Sequence, residues 1–398
     1  MGRPLRIGID VRHIRDYGIG SYIRNLLLAL AQRADPHEYL LAGRPQDLRD
    51  LPALPERFRK AQFPRSDHGL LNQVTFPLFL SRFPLDLTHI PLNSVPLAMP
   101  RPYVVTVHDM SSLLFPVEGE GWARLRQSYR RLRFRRGLLR ANRVLAVSQA
   151  TQTDVETVLG IPPERIRLIY GAVDPKFLQP LHPADARSAG PNSTDYYRRQ
   201  FFERYQIHHP YLLYAGTIRP QKNVPRLIEA FSVLKGQLAG HPFYAPLKLL
   251  IIGDEVSRHP QVRRAVVQTR MEREVRFFGF VSFDTLRLLY EGAEVFVFPS
   301  LYEGFGLPPL EAMASGVPVV TSNTSSLPEV VGDAAELVNP ENVFDIVRGI
   351  RQVLINADYR QELIERGRRR AHLFNWAETA RQVVEVYQEV AAEQPRTR

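Results

Sequence analysis

A chain of 398 residues, 44% hydrophobic and 23% charged, is long enough for two or three domains that each bury a core. It contains no cysteine, which excludes disulfides, thiolate metal sites and a cysteine nucleophile. Its net charge of +11 calls for an anionic partner or a solvated basic surface, and no apolar run approaches the roughly 18 residues of a membrane span. The first residues enter a strand without an apolar leader segment, so a cytoplasmic protein is expected.

In chain order, residues 5–11 read as a strand, followed by a loop to Gly18-Ile19-Gly20 and a helix over 21–32. A strand, a glycine-containing turn and a helix N-terminus suit a phosphate, although a plain turn explains Gly-x-Gly equally well. Strands follow at 39–42, 87–89 and 104–107. The last ends in His108-Asp109, and open α/β sheets place ligands at such carboxyl ends. Asp109 either orients His108 or caps the next turn.

Residues 124–143 hold nine arginines. Leu125, Tyr129, Leu132 and Leu139 fall near one side of that predicted helix. Two readings stand: a domain helix with a core stripe and solvated arginines, or a helix lying on an anionic membrane surface. No aromatic stacking platform accompanies the charge, so nucleic acid is not an expected partner. A strand at 143–147, Ser148 as the N-cap of a helix to 159, and a strand from 166 close the first domain. The expected organisation is a first domain over 1–180 and a proline- and serine-rich linker over 181–209. A second domain over 210–374 and a terminal helix in 375–398 complete it.

The second domain opens on a strand at 211–216. Arg219 and Lys222 then stand where strand gives way to helix, a position suited to neutralising a diphosphate. Strands at 247–253 and 275–280 lead to the most informative stretch, 293–321. There a buried strand is followed by Glu303-Gly304-Phe305-Gly306, by Pro308-Pro309 at a helix start, and by Glu311 about one turn in, with Gly316 as a C-cap. Gly304 and Gly306 expose backbone N–H groups at a helix N-terminus, and the two carboxylates can flank a bound ligand. An anion site beside hydroxyl-binding carboxylates suggests a nucleotide sugar. The plainer alternative is an ordinary βαβ unit with solvated glutamates.

The spacing Glu303-x7-Glu311, the Val-His-Asp of 107–109, the segment Gly-Thr-Ile-Arg-Pro-Gln-Lys-Asn of 216–223 and the first glycine loop together resemble the retaining glycosyltransferases of family 4. The likeness extends over nearly the full chain. It implies the GT-B architecture: α/β, two Rossmann-like domains facing a cleft, with the C-terminal helix crossing back to the first domain. The nucleotide-sugar donor would bind the second domain and the acceptor the first. By the same resemblance Gly18 and Gly20 face the donor diphosphate, with Tyr17-Gly18 replacing a commoner Gly-Gly, and His108 lies beside the transferred sugar. Lys222 matches the family lysine. Thr217 stands where many members have arginine, so Arg219 is its expected substitute. Glu303 would contact the transferred sugar, Glu311 the ribose, and Gly304, Phe305, Gly306 and Leu307 would complete the donor site.

No Asp-x-Asp pair, His-Glu-x-x-His or P-loop occurs, so neither a metal nor a further cofactor is expected. The wording of 108–112 and 216–223 is similar to bacterial mannosyltransferases of polysaccharide assembly. It implies GDP-mannose as donor, with a UDP-sugar as the alternative, and a glycan or polyprenyl-linked acceptor. A phosphorylase would want a pyridoxal-phosphate lysine, which no motif indicates, and an epimerase would need no acceptor lobe. An inert basic scaffold for lipid or nucleic acid is the reading from a different class.

Overall fold

The structure, a computed structural model, describes residues 3–16, 18–65, 71–92, 95–115, 122–179 and 194–393. The chain forms two compact units, one of Met1–Ala172 with Phe374–Arg398, the other of Val173–Leu373. Among the described residues no helix is long and apolar enough to cross a membrane.

The first unit holds a parallel sheet of seven strands: β1 (Arg6–Asp10), β2 (Glu38–Gly43), β3 (Phe58–Gln62), β4 (Leu87–Ile90), β5 (Tyr103–Val107), β6 (Arg143–Ala146) and β7 (Ile166–Leu168). Their order is β3-β2-β1-β4-β5-β6-β7. The central strands β4 and β5 are buried along their whole length, as the uninterrupted β-prone runs require of a sheet covered on both faces. Growth runs outward from β1 to β3, then restarts at β4 on the other side of β1, with Ile7 opposite Leu87. The crevice at the carboxyl ends of β1 and β4 is therefore a topological switch point. Strand β3 was not expected from the sequence. Its pattern Phe-Arg-Lys-Ala-Gln buries only Phe58 and Ala61, and its charged, solvent-facing residues suit an unpaired edge.

The helix Trp376–Ala392 belongs to this unit, as anticipated. Asn375 caps it, accepting from the Glu378 N–H, and its buried side, including Val383, Val386 and Tyr387, packs on the helix Ile19–Gln32 and on β4. Thr379 Oγ1 donates to the Tyr170 carbonyl at 2.8 Å, and Arg167 pairs with Glu389 at 3.1 Å. Ser148 caps the helix Gln149–Leu159 as expected. The arginine-rich helix Trp122–Arg140 corrects one of its two readings. Phe134 and Leu138 make its core side, while Leu125, Tyr129 and Leu132 face outward.

The second unit carries six parallel strands: β8 (Tyr211–Ala215), β9 (Lys248–Ile252), β10 (Val275–Gly279), β11 (Val295–Phe298), β12 (Val319–Ser322) and β13 (Glu336–Val338), in the order β10-β9-β8-β11-β12-β13. Its switch point lies between β8 and β11, where Leu212 pairs with Val295. Gly316 follows the motif helix at φ 74°, the left-handed turn expected of it. The linker expected over 181–209 requires correction. Residues 180–193 lie outside the described residues, but Thr194–Arg204 is a helix of this unit. Buried Phe201 meets Phe202 and Tyr205 at ring distances of 5.4 and 4.6 Å, and Arg276 donates to the Tyr205 and Gln206 carbonyls. The aromatic contacts of Phe201, Phe202 and Tyr205 outweigh the prolines before them.

Candidate active site

In the second unit the chemistry-bearing groups gather at the carboxyl ends of β8 and β11. The loop after β11 is held along its length. Leu301 N–H and Ser300 Oγ both donate to the Gln221 carbonyl, at 2.7 and 3.0 Å. Asn223, in the left-handed conformation at φ 60°, donates its side-chain amide to the carbonyls of Pro299 and Pro340. Ser325 accepts from the Glu303 N–H at 3.2 Å and donates to the Glu303 carbonyl at 2.7 Å. Ser326 Oγ lies 2.9 Å from the Phe305 carbonyl. A loop strapped from two sides keeps the Glu303 carboxylate in place.

That carboxylate receives Lys222 Nζ on both oxygens, at 2.5 and 2.7 Å, and both side chains are largely buried. Lys222 also sits 5.3 Å from the centre of the Phe298 ring, on which Tyr214 stacks at 5.7 Å. Burial, and then the charges of Glu303 and Asp254, push the Tyr214 hydroxyl well above its ordinary ionisation range. It stays neutral and donates to the Thr217 carbonyl at 3.0 Å. Arg219 is not brought into this cluster. It is exposed, and among the described residues its guanidinium makes no hydrogen bond or ion pair.

The helix Leu307–Ala314 begins directly after the loop. Its N-cap, Gly306, has φ 105°, a backbone conformation that favours glycine, and a Cβ there would press on Leu327 Cδ2 at 2.9 Å. No side chain caps this end, and Pro308 and Pro309 lack N–H groups. The amides of Gly306 and Leu307 are those the helix start can present to an anion. One turn on, Glu311 Oε2 accepts from the Tyr290 hydroxyl at 3.0 Å. Burial raises the Glu311 pKa to about 7; the Tyr290 hydrogen bond opposes this, and the charge of Asp174 adds to it. At neutral pH this carboxyl is poised between its two protonation states.

In the first unit Gly18 caps the helix Ile19–Gln32 at φ 67°. A Cβ on Gly20 would lie 2.3 Å from the Ile14 carbonyl oxygen, and the Gly20 N–H already donates to the Asp16 carbonyl at 3.0 Å. Gly20 therefore permits close packing of the turn and does not present its amide outward. Tyr17 lies outside the described residues.

His108 follows β5 and donates from Nε2 to the Pro91 carbonyl at 3.1 Å, which leaves Nδ1 as the lone-pair nitrogen. The Tyr22 ring meets it edge-on at 4.8 Å. Burial lowers its pKa to about 4, against the raising influence of Asp109 and of the Pro91 carbonyl, so the imidazole is neutral at pH 7. Asp109 caps the next turn, accepting from Ser111 N–H and Oγ at 2.8 and 2.5 Å.

Several residues had no sequence signal. His89, buried in β4, bonds Tyr387 at 2.6 Å and Thr106 at 2.7 Å, and Thr106 in turn lies 3.4 Å from the Tyr22 hydroxyl. Tyr214, Tyr290, Ser325 and Ser326 likewise acquire their roles only through contacts distant in the chain. Among the described residues no group of three His, Asp or Glu side chains has metal-holding geometry.

Comparison with known proteins identifies the family and the fold. The family described as "Glycosyl transferases group 1" matches residues 198–370, and "Glycosyltransferase Family 4" matches 17–177. The O-antigen chain mannosyltransferase B of Escherichia coli is 32% identical over 287 residues, covering 71% of this chain and 69% of that one. Sucrose-phosphate synthase from Thermosynechococcus elongatus superposes with a TM-score of 0.76 at 21% identity, covering 98% of this chain and 100% of that one. WaaG, a glycosyltransferase involved in lipopolysaccharide biosynthesis, superposes at 0.70 with 16% identity, covering 96% and 99%. Two parallel-sheet Rossmann-like halves, the Glu303/Glu311 loop-helix and these matches together assign the chain to the family 4, group 1 glycosyltransferases of GT-B fold.

Proposed function

We propose that this glycosyltransferase is a retaining enzyme that moves mannose from GDP-mannose onto a glycan or a lipid-linked oligosaccharide in polysaccharide assembly. The observation that carries the reading is the Lys222–Glu303 pair set beside the helix start at Gly306 and Leu307. A cation and two backbone amides are suited to a leaving diphosphate. Glu303, held at the same place, is suited to a hydroxyl of the transferred sugar. Glu311, one turn further on, is assigned to the ribose, with Phe305 and Gly304 lining the donor site. The nearness in sequence to a mannosyltransferase of O-antigen chains supports mannose over other sugars.

His108 is assigned a role in turnover from the first unit, as a neutral imidazole with a lone pair on Nδ1. An inverting displacement needs a base for the acceptor on the face opposite the leaving group. The nearest carboxylate in sequence, Asp109, is engaged by Ser111. The leaving diphosphate itself can take the acceptor's proton on its own face, which yields retention. Lys222 and the helix dipole would carry the leaving charge without a divalent ion. An acceptor on a polyprenyl carrier would bring a cytoplasmic enzyme to the inner surface of a membrane.

Thermal stabilisation by a panel of GDP- and UDP-sugars tests the donor. Proton NMR of the anomeric coupling in the product, run on a chelated reaction, tests stereochemistry and metal together. The expected results are selective stabilisation by GDP-mannose and an α-linked product formed in excess EDTA. Selective stabilisation by a UDP-sugar would replace the donor. A β-linked product, or activity abolished by EDTA and restored by Mg²⁺ or Mn²⁺, would overturn the mechanism.

A further inference from the structure

The outward side of the helix Trp122–Arg140 is unusual for a surface helix. Leu125, Tyr129 and Leu132 are 63%, 43% and 63% exposed, on the side opposite buried Phe134 and Leu138. A second stripe stands on the helix Asn72–Leu80, where Val74 and Leu78 are 52% and 58% exposed and Leu71, just before it, 69%. The two helices pack on one segment. A Cβ on Gly137 would lie 2.7 Å from the side chain of Val95, and Gln73 accepts from the N–H groups of Leu97 and Ala98 at 3.1 and 3.4 Å. The apolar stripes therefore belong to neighbouring parts of one surface, larger than scattered single exposures would make.

Neither helix carries a carboxylate. In the 19-residue helix Arg131 and Arg135 turn toward the end of the helix Gln149–Leu159, donating to the carbonyls of Val158 and Leu159. Arg136, one turn beyond Leu132, remains exposed on the outward side, whereas Arg140 reaches the buried Tyr103 hydroxyl. Arg65 and Arg82, exposed before and after the other helix, extend the basic rim.

We propose that these two helices form a docking face for an anionic lipid bilayer. The six apolar side chains enter the headgroup–acyl boundary, and the rim arginines meet headgroup phosphates. A second copy of the chain is a poorer occupant, because a two-fold contact through this face would set the same arginines against one another with no carboxylate on either helix to separate them. The surface deepens the lipid-carrier reading above, but it does not depend on which sugar is transferred.

Co-sedimentation of the full chain with phosphatidylcholine vesicles, with and without phosphatidylglycerol, tests the proposal. Binding is expected only with the anionic lipid and should weaken as salt is added. Leu125→Ser with Leu132→Ser should lower vesicle partitioning by at least about tenfold, since each leucine forfeits its apolar burial. Arg82→Gln with Arg136→Gln should lower it roughly fivefold per arginine. Stabilisation by GDP should persist in every variant, which separates this surface from the donor site. If the leucine variant melts early, Val74→Ser with Leu78→Ser carries the same expectation on the other helix. Wild-type protein that ignores anionic vesicles at low salt overturns the proposal, as do leucine variants that bind undiminished. So does a concentration-dependent dimer, seen by sedimentation velocity, that the leucine substitutions abolish; it would assign the face to self-association.

Discussion

The two switch points of this molecule share a topology and differ in chemistry. In the second unit the carboxyl ends of β8 and β11 hold an ion pair, Lys222–Glu303, and a helix start without a side-chain cap. In the first unit the strands beside the switch point, β4 and β5, hold rings and hydroxyls: His108 against Tyr22, with Thr106, His89 and Tyr387 behind. Burial keeps both histidines uncharged, at pKa values of about 4 and about 3. One parallel-sheet crevice thus carries fixed charge and the other uncharged rings and hydroxyls. Sheet order alone does not choose between them; the side chains at the strand ends do.

The largest effect expected from breaking this contrast is on the charged side. Lys222→Ala should lower the transfer rate by roughly 10²–10³-fold, the scale of losing one preorganised donor to a developing charge. It also strands the Glu303 carboxylate, so the unfolding midpoint should fall with it. A variant whose rate, measured by product NMR, stays within a few-fold of wild type would remove the anion site from the comparison.

Glu311→Ala comes next, with nucleotide binding weakened by about 1–3 kcal/mol, read by calorimetry with GDP. Its raised pKa adds a pH signature. The folded state holds the Glu311 proton up to about pH 7, whereas the unfolded chain releases it near the ordinary 4.5. This group's contribution to stability therefore declines as pH rises through that window. If the ribose prefers the carboxylate, GDP-mannose should bind more tightly as pH rises through 7, and Glu311→Gln should flatten the slope. An unchanged slope in the variant would assign the pH dependence elsewhere.

A smaller effect is expected on the neutral side. Tyr387→Phe removes the hydroxyl bonded to buried His89 and should cost about 1–2 kcal/mol of stability. His89 is held neutral in the fold, so the unfolded chain binds its proton first as pH falls below the ordinary 6.5, and stability is lost from there down toward about pH 3. His89→Gln should flatten part of that acid limb in thermal unfolding; an unaltered limb would point to other groups. The smallest change belongs to Arg219→Ala. An exposed side chain with no partner among the described residues should alter stability by no more than about 0.5 kcal/mol. GDP-mannose affinity should fall by less than tenfold, and a larger loss would place Arg219 beside Lys222 in the working site.

Much of this architecture can be read from short stretches of chain. The β-prone runs at 104–107 and 295–298 became central strands because a parallel sheet covered by helices buries both faces of each strand. Glu303 and Glu311 flank a helix start because seven residues of Gly-rich loop and helix separate them, and Ser148 caps its helix through a partner only three residues away. Those outcomes depend on local spacing and on one type of physical preference each. The helix Thr194–Arg204 and strand β3 escaped notice because their burial is partial and depends on neighbours in the sheet.

The ion pair and the ring network are of another kind. Lys222 and Glu303 are 81 residues apart, and His89 and Tyr387 are 298 apart. No periodicity connects such positions; they meet because parallel crossovers return successive strand ends to one edge of a sheet, and because the last helix packs beside β4. The side of the arginine-rich helix that faces the core was likewise undetermined by its own pattern, since Leu125, Tyr129 and Leu132 make as good a stripe as Phe134 and Leu138. Which stripe was buried depended on what lay beneath it: Val95 comes so close to Gly137 that only a side without a Cβ at that point could turn inward.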